Sequence, residues 1–340
     1  MTRLAFISGV HGHELLPEEA AFFKETRPLG LILFARNLES EVQIRRLVCD
    51  VREAVGDEKF WVLIDQEGGR VQRLVPPLFP RLPAGRRYGE LFASEPEKAL
   101  RSAELIGQFM AWRLLSFGIN VNCTPVLDVA HDGAHEIISD RSFGQETSVI
   151  SSLGRAHAEG HMKGGVLPVI KHIPGHGRAM VDSHHDLPVI DASLSLLREV
   201  DFAPFKMLSD LPLAMTAHVI YSDFDARAPV STSAAAIAEL IRQDIGFDGF
   251  LICDDVSMQA LEGSIAVRTK AVMAAGCDGA LHCNGVLAEM REVASEVPVL
   301  SGAAFARFER SFDLIGQAEA VNEGEAMALL NESWAGLGDV

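Results

Sequence analysis

The stretch Leu167-Pro-Val-Ile-Lys-His-Ile-Pro-Gly-His-Gly-Arg178 changes from apolar to polar in one step, and this change indicates the fold. Its first four residues, Leu167–Ile170, are apolar on both faces, which is typical of a parallel strand that is covered on both sides. A lysine, two histidines and two glycines follow directly. The boundary therefore predicts a buried strand whose carboxyl end carries functional groups.

Apolar runs of similar length occur from one end of the chain to the other, with helix-length amphipathic segments between them. The eight predicted strands are Leu4–Ser8, Gly30–Ala35, Phe60–Ile64, Ile119–Thr124, Leu167–Ile170, Leu213–Thr216, Phe250–Cys253 and Gly279–His282. Eight strands that alternate with helices predict an α/β fold of the (β/α)8 TIM barrel type. Periodicity does not show closure, so a doubly wound open sheet stays possible.

Three of the predicted helices have recognisable ends. A capping box formed by Ser94 and Glu97 precedes the helix Ala99–Phe117, and Gly118 can end it in the left-handed conformation. The other two caps are Thr147 for Ser148–Lys163, ended by Gly164-Gly165, and Ser264 for Ile265–Ala275, ended by Gly276. Two long segments, Asp65–Ala93 and Lys171–Ser193, have no predicted helix, and loops of that length in a compact domain are usually functional.

Length and composition predict one domain. The chain has 340 residues, of which 48% are hydrophobic and 23% charged, and α/β barrels of about this length commonly form a single domain. No internal repeat or linker divides the sequence. We therefore predict a barrel domain over residues 1–340, with residues 301–340 as a helical extension packed on the outside.

Charge and cysteine usage exclude several classes of partner. The net charge of -17 opposes binding to phosphate backbones and anionic lipid surfaces, so we expect neither nucleic acid nor membrane as a partner. The five cysteines are scattered, which favours a reducing compartment. No apolar run approaches the roughly 18 residues of a spanning helix. We predict a cytoplasmic protein.

Side chains suited to catalysis follow the predicted strands, and barrel enzymes carry their chemistry at this end of the strands. Asp254 and Asp255 end the seventh strand, where one carboxylate can point into the barrel mouth and the other can cap the next helix. Successive strand residues face opposite ways, so only one is the working group. Asp182 lies two residues before His184, a spacing at which the carboxylate can orient the imidazole for proton transfer.

Other polar residues at the strand ends are suited to a ligand with several hydroxyl groups. A polyol enters a dry site only if its hydroxyls find partners. The candidate donors and acceptors are Asp65, Arg73, Arg141, Lys171 and His172. The same side chains can instead form an internal ion-pair network that holds the loops, and the sequence leaves this alternative open.

A metal-dependent barrel hydrolase is the rival hypothesis. His11-Gly-His13 follows the first predicted strand, as a metal-binding histidine pair does in such enzymes. Lys171, His172, His218 and Asp254 could complete a site with one or two metal ions. The eighth predicted strand is followed by no carboxylate within His282-Cys-Asn284, which counts against this hypothesis.

Five motifs together resemble glycoside hydrolase family 3, and they occur in the family's order over nearly the whole chain. They are Asp65-Gln-Glu-Gly-Gly-Arg-x-x-Arg73, Arg141-Ser-Phe-Gly144, Lys171-His-x-Pro-Gly-His-Gly177, Asp182-x-His184 and Asp254-Asp-x-Ser-Met258. The resemblance is closest to the one-domain bacterial β-N-acetylglucosaminidases of peptidoglycan recycling. Some positions depart from the family's pattern: Cys253 stands where Ser or Thr is common, Asp140 stands where Asn usually precedes the Arg, and the His11–His13 pair is additional.

The resemblance implies a role for each matched residue. Asp254 is similar to the family's nucleophile, which forms a covalent glycosyl intermediate, and Asp255 stands beside it as support. His184, oriented by Asp182, is similar to the general acid/base, which replaces the usual carboxylic acid of a retaining glycosidase. The residues implied to hold the terminal N-acetylglucosamine are Asp65, Arg73, Arg141, Lys171 and His172.

The function implied by the resemblance is a retaining exo-β-N-acetylglucosaminidase acting on muropeptides such as N-acetylglucosaminyl-1,6-anhydro-N-acetylmuramyl-peptide. It implies no metal ion and no other cofactor. A β-glucosidase, xylosidase or phosphorylase of the same family stays open, as does a sugar-binding sensor without activity. The residues do not reveal the oligomeric state, and a monomer is the default. We also expect the part of the loop beyond Gly175 and Gly177 to move when substrate binds.

Overall fold

A computed structural model describes residues 2–316 and 318–334 of the chain. The central sheet contains eight strands: β1 Leu4–Ser8, β2 Pro28–Leu33, β3 Trp61–Ile64, β4 Val121–Asn122, β5 Leu167–Ile173, β6 Leu213–Thr216, β7 Phe250–Ile252 and β8 Ala280–His282. Their order in the sheet is β7-β6-β5-β4-β3-β2-β1-β8, and every hydrogen-bonded pair is parallel. All eight predicted strands are present, with ends that differ by up to three residues.

The sheet closes between its two edge strands, β7 and β8. A parallel bridge joins Ile252 to Gly279, and the backbone N–H of Cys253 donates to the carbonyl oxygen of Gly279 at 3.1 Å. Further along the chain, the N–H of Val256 donates to the carbonyl oxygen of Leu281 at 2.9 Å. The predicted (β/α)8 barrel is therefore confirmed, and the open doubly wound sheet is excluded.

Helices cover the outside of the barrel. They are α1 Pro17–Thr26, α2 Glu41–Val55, α3 Gly85–Ser94, α4 Pro96–Ser116, α5 Thr147–Lys163, α6 Leu194–Glu199, α7 Ala203–Met207, the π-helical segment Ala236–Ile245, α8 Ile265–Ala275, α9 Leu287–Glu296, α10 Gly302–Ser311 and α11 Glu323–Ser333. The strands are almost entirely buried, because helices cover one face and the packed barrel interior covers the other. Across residues 2–316 and 318–334, none of these helices is both apolar enough and long enough to cross a membrane.

The capping box predicted at Ser94 and Glu97 is wrong. Ser94 is the last residue of α3, and its Oγ donates to the carbonyl oxygen of Leu91 at 3.3 Å. The next helix begins at Pro96, because proline has no N–H to leave unpaired and its fixed φ suits the first helical turn. The Ser-x-x-Glu pattern therefore spans the junction of two helices.

The other predicted helix ends agree more closely with the structure. Ser264 caps α8 and accepts a hydrogen bond from the N–H of Val267 at 3.4 Å, as predicted. Gly118 and Gly276 lie just beyond their helices with φ of 84° and 107°, the left-handed conformation that was predicted. Thr147 is the first residue of α5, and its side chain does not cap the helix.

The segment Asp65–Ala93 was predicted to contain no helix, and this is wrong. It forms a hairpin, Gln66–Gly68 with Val71–Gln72, and then enters α3. The segment Lys171–Ser193 has no helix, as predicted, but its first three residues belong to β5. Lys171 and His172 therefore project from a rigid strand end.

The C-terminal helices contact the barrel and its surrounding helices. The ring of Phe308 in α10 lies 4.6 Å from that of Trp61, and Trp61 Nε1 donates to Ser311 Oγ at 3.2 Å. In α11, Glu325 forms an ion pair with Arg101 of α4 at 2.6 Å. The assignment of residues 1–340 to a single barrel domain, with residues 301–340 as a helical extension packed on the outside, stays our proposal. Residues 1, 317 and 335–340 lie outside the described residues.

Candidate active site

A cavity of about 400 Å³ opens at the carboxyl ends of the strands. It is lined by eight residues that the sequence singled out: Asp65, Arg73, Arg141, Lys171, His172, His184, Asp254 and Asp255. Asp182, the remaining candidate, reaches the cavity through its contact with His184. The topology brings these residues together because the carboxyl ends of all parallel strands meet at one rim.

An alternating chain of charges forms one wall of the cavity. Asp65 accepts from Arg73 and from Lys171 Nζ, both at 3.0 Å. Lys171 Nζ also lies 2.6 Å from Glu67 Oε1. Glu67 in turn receives two hydrogen bonds from the Arg141 guanidinium, at 2.8 and 2.9 Å. Three cations and two carboxylates are thus held in one fixed array.

The charges of this array are mutually stabilised despite their burial. Burial opposes ionisation of Glu67, but the neighbouring Arg141 and Lys171 outweigh it and lower the pKa of that carboxyl to about 2. Lys171 and Arg73 likewise hold the pKa of Asp65 far below its ordinary value against the effect of burial. In Lys171, whose side chain is 3% exposed, the two carboxylates overcome burial and raise the pKa. Asp65, Glu67 and Lys171 are therefore charged at neutral pH.

His172 is oriented by a buried carboxylate. Its Nδ1 lies 2.7 Å from Asp128 Oδ2, and the other carboxylate oxygen accepts the backbone N–H of His176 at 2.6 Å. Burial opposes the charge of Asp128, but His172 lowers the pKa of this carboxyl overall. Because Nδ1 is engaged, the second ring nitrogen of His172 is left for a ligand in the cavity.

The two aspartates after β7 have different surroundings. Asp255 accepts from the N–H and Oγ of Ser257 at 3.0 and 2.5 Å and from the N–H of Cys283 at 3.2 Å. Within the part of the chain that the structure describes, the Asp254 carboxylate accepts one hydrogen bond, from the N–H of Asp255 at 2.8 Å. Asp255 therefore caps the turn after β7, and Asp254 keeps oxygen lone pairs for the cavity.

Asp254 is ionised at neutral pH. Burial raises the pKa of its carboxyl, but His218 and His172 more than compensate and lower it. His218 lies beside Asp254 and is held by Ser231 Oγ at 2.7 Å and by the carbonyl oxygen of Asp255 at 3.1 Å. An ionised carboxylate with free lone pairs is the form that attacks an electrophilic carbon.

His184 and Asp182 form a side-chain pair on the loop after β5. His184 Nδ1 lies 2.8 Å from Asp182 Oδ1, and the same oxygen accepts the backbone N–H of His184 at 2.9 Å. These contacts outweigh the effect of burial and lower the pKa of the Asp182 carboxyl. His184 is 58% exposed, and its second ring nitrogen carries no hydrogen bond within the described part of the chain. Such a dyad can give and take a proton.

The structure does not assemble the rival metal site. His11 and His13 do not line the cavity, and both are exposed. His218 is engaged by Ser231 and Asp255, as described above. Among residues 2–316 and 318–334, no group of three or more His, Cys, Asp or Glu side chains is arranged to hold a metal ion.

The positions that depart from the family pattern have identifiable contacts. Asp140 pairs with Arg70 at 2.8 Å, whereas Arg141 is held by Glu67. An Asp in place of the family's Asn at position 140 therefore affects Arg70 rather than Arg141. Cys253 is fully buried in the β7–β8 junction, where its Sγ accepts the N–H of Leu281 at 3.3 Å.

Glu67 and Asp128 belong to the site but were not predicted from the sequence. Glu67 lies two residues after Asp65, and residues at that spacing in an extended chain face the same way. Asp128 is the one charged residue of Val126-Leu-Asp-Val-Ala130, and a lone carboxylate in an apolar run needs a buried partner. Both patterns could have identified these residues as counter-charges.

Comparisons with known proteins found matches that cover most of the chain. The family model described as "Glycosyl hydrolase family 3 N terminal domain" matches residues 10–313. A beta-hexosaminidase of Bordetella avium is 37% identical over 279 residues, which cover 81% of this chain and 79% of the relative. A beta-hexosaminidase of Methylobacillus flagellatus is 36% identical over 288 residues, covering 84% of this chain and 81% of the relative.

Solved structures with the same fold include two from bacteria. Native NagZ from Neisseria gonorrhoeae superposes with a TM-score of 0.87 at 30% identity and covers 98% of both chains. A glycoside hydrolase family 3 β-N-acetylglucosaminidase from Paenibacillus sp. has a TM-score of 0.85 at 25% identity, covering 97% of this chain and 66% of the other. The barrel, its polar rim and these matches lead to one conclusion: the chain belongs to glycoside hydrolase family 3 and is a glycoside hydrolase.

Proposed function

We propose that the chain is a retaining exo-β-N-acetylglucosaminidase in which Asp254 is the nucleophile and His184 is the general acid/base. The observation that carries this proposal is that an ionised carboxylate and a carboxylate-oriented imidazole line the same cavity, beside a wall of fixed charges. The relatives named beta-hexosaminidase support an N-acetylated hexosamine as the sugar.

The charged wall supplies the partners that a terminal sugar needs. Asp65 and Glu67 already accept hydrogen bonds from cations, and both oxygens of Asp65 and Oε2 of Glu67 each keep a further lone pair for a hydroxyl group. Arg73, Lys171 and Arg141 offer N–H donors whose positions are fixed by those same carboxylates. Because the array is ordered before the ligand arrives, binding loses little side-chain entropy.

The reaction proceeds in two displacements. Asp254 attacks the anomeric carbon, and the bond from that carbon to the glycosidic oxygen breaks as His184 delivers its proton to the leaving oxygen. His184, now neutral, takes a proton from water, and the water oxygen displaces the Asp254 carboxylate from the anomeric carbon. Each step inverts the configuration, so the released sugar retains the β configuration. Asp182 holds His184 through Nδ1 and stabilises the imidazolium form.

We further propose that the natural substrates are peptidoglycan-derived muropeptides with a terminal non-reducing N-acetylglucosamine and that the enzyme acts in the cytoplasm. The similarity to NagZ structures supports the first part. The five free cysteines are consistent with a reducing compartment.

Release of 4-nitrophenol from its β-N-acetylglucosaminide, compared with the β-glucoside and β-xyloside, tests the sugar specificity. We expect turnover of the first substrate only. We also expect Asp254→Ala and His184→Ala each to lower kcat by at least about 10²-fold, the usual scale for such groups. Binding of N-acetylglucosamine without any turnover would instead indicate a sensor.

Product analysis tests the mechanism and the aglycone. NMR of the first-formed sugar should detect the β anomer, and an initial α anomer would contradict a double displacement. A parallel incubation with N-acetylglucosaminyl-1,6-anhydro-N-acetylmuramyl-peptide, with and without phosphate, should release free N-acetylglucosamine in both cases. Formation of the sugar 1-phosphate would identify a phosphorylase.

A further inference from the structure

The loop that carries the acid/base dyad is attached to the barrel by an unusual residue. Among residues 180–187, all described by the structure, Ser183 is the only buried one and is 3% exposed. Its neighbours Asp182 and His184 have side chains that are 21% and 58% exposed. A buried position in an otherwise exposed turn is usually apolar, because apolar burial is what holds a turn down. A serine there points to a hydrogen bond instead.

The partner of that serine is His176. The Oγ of Ser183 lies 3.2 Å from His176 Nε2, and both residues line the cavity. His176 is 2% exposed and is fixed to the barrel through the hydrogen bond from its backbone N–H to Asp128. The rigid part of the site therefore reaches the dyad turn through one imidazole.

The tautomer of His176 follows from its other ring nitrogen. Nδ1 is buried and has no hydrogen-bond partner within the described residues. An unpaired buried N–H is rarer and more costly than an unpaired acceptor, so the proton belongs on Nε2. His176 thus donates to Ser183 Oγ, and the hydroxyl proton of Ser183 is left for an acceptor in the cavity.

Two backbone contacts attach the same turn to the segment after β7. The N–H of Ala260 donates to the carbonyl oxygen of Ser183 at 3.2 Å, and that of Gln259 donates to the carbonyl oxygen of His184 at 3.4 Å. The first of these is as long as the contact between Ser183 and His176. The two backbone contacts join the dyad turn to the segment after β7, whereas the side-chain contact from His176 joins it to the loop that follows β5, the strand carrying Lys171 and His172.

We propose that Ser183 and His176 are positioning residues that hold the Asp182–His184 dyad at the distance from the bound sugar that proton transfer requires. The proposal rests on the proposed role of His184 as acid/base. Ser183 fixes the turn from its midpoint, so loss of its hydroxyl leaves the dyad intact but misplaced. A misplacement of about 1 Å can cost about 10²-fold in rate.

Leaving-group dependence tests this role, because only a poor leaving group needs a proton from His184. We expect Ser183→Ala to lower kcat/KM for N,N′-diacetylchitobiose by about 10²-fold and for the 2,4-dinitrophenyl β-N-acetylglucosaminide by less than about 3-fold. Ser183→Thr keeps the hydroxyl and should restore kcat/KM for N,N′-diacetylchitobiose. Ser222→Ala is the matched control, because it removes a serine hydroxyl that binds Asp191 at 2.9 Å and does not line the cavity. It should leave both substrates unchanged.

Variants of His176 make the test independent of folding defects. His176→Gln keeps a donor near the Nε2 position and should be tolerated better than His176→Met. In a double-mutant cycle, Ser183→Ala should add little to His176→Met on chitobiose, because both remove the same hydrogen bond. Equal losses on both substrates, or additive losses in the cycle, would overturn the proposal.

The variant His184→Ala distinguishes failure of the positioning role from failure of the proposed function. If it shows the same dependence on the leaving group and Ser183→Ala does not, the positioning role is wrong and the proposed function stands. If His184→Ala itself shows no such dependence, His184 is not the acid, and both proposals fail together.

Discussion

Replacement of Glu67 by glutamine removes the central negative charge of the cavity wall while keeping the shape of the side chain. Glu67 accepts two hydrogen bonds from Arg141 and one close contact from Lys171, and its side chain is 6% exposed. In Glu67→Gln, the array of three cations and two carboxylates keeps one carboxylate only. Its excess of one positive charge becomes an excess of two in a buried setting.

The expected loss of stability follows from the pKa. The Glu67 carboxyl has a pKa of about 2 instead of 4.5, and at about 1.4 kcal/mol per pH unit this corresponds to about 3 kcal/mol of folding free energy. Removing one partner of a buried ion pair costs about 3–5 kcal/mol in other proteins, which is the same range. We therefore expect Glu67→Gln to lower the free energy of unfolding by about 3 kcal/mol at neutral pH.

The pH dependence has a definite sign. The folded-state pKa of Glu67 is lowered, so its contribution is fully present above the unfolded pKa of about 4.5 and is lost as the pH falls toward about 2. The difference between wild type and Glu67→Gln should therefore be constant from neutral pH down to about pH 5 and shrink below it. Activity should fall by about 10²-fold, because Arg141 and Lys171 lose their common anchor.

Urea unfolding at several pH values, with kcat/KM measured in parallel, checks both parts. Glu90→Gln is the matched control, because Glu90 is 52% exposed and pairs with Arg87 at 2.8 Å on the surface of α3. It should cost less than about 1 kcal/mol. If Glu67→Gln is no more destabilising than Glu90→Gln, or if its effect does not shrink in acid, the electrostatic reasoning for this wall is refuted.

Three further changes probe other parts of the site. Asp255→Ala should lower the free energy of unfolding by about 1–2 kcal/mol and should reduce activity less than Asp254→Ala does. An inactive Asp255→Ala variant together with an active Asp254→Ala variant would reverse the assignment of the nucleophile. Iodoacetamide at about pH 8 should alkylate the exposed Cys49 and spare Cys283, because burial and nearby carboxylates raise the pKa of the Cys283 thiol; peptide mass spectrometry would detect the opposite order. Gly177→Ala should lower the free energy of unfolding by about 2 kcal/mol, because a Cβ there would lie 1.8 Å from a carbonyl oxygen of the loop after β4; an unchanged urea midpoint would show that this loop can give way.

The sequence was sufficient to predict the barrel and eight of the residues that line the cavity, for a physical reason. Strand runs such as Leu213–Thr216 are apolar on both faces, and the polar residue after each run must lie at the rim. His184 and Asp182 are neighbours in the sequence, so their contact needs only a local turn. Asp254 follows β7 by two residues, so the end of that strand places it at the rim.

The parts that could not be predicted depend on partners far apart in the chain. Glu67 becomes an anchor only when β5 brings Lys171 to it, and Asp128 only when β5 brings His172. The contact between His176 and Ser183 likewise depends on the path of the loop between them. Local patterns also misled at Ser94, because two adjoining helices share a sequence that resembles one capped helix.

The rim of the barrel has two sides, one at the junction of β7 and β8 and one at the ends of β3 to β5, and we expect them to serve separate functions. The segment that carries Asp254, the proposed nucleophile, is hydrogen-bonded to β8 on both sides of this residue, through Cys253 and Val256. The charged groups that we propose to hold the sugar follow β3, β4 and β5, on the other side of the barrel. We therefore expect that redesign of the loops after β3 and β4 changes which sugar is accepted and leaves the hydrogen bonds between β7 and β8 intact. In protein engineering, the β3–β5 side of the rim is therefore the part to vary, and the β7–β8 side is the part to keep.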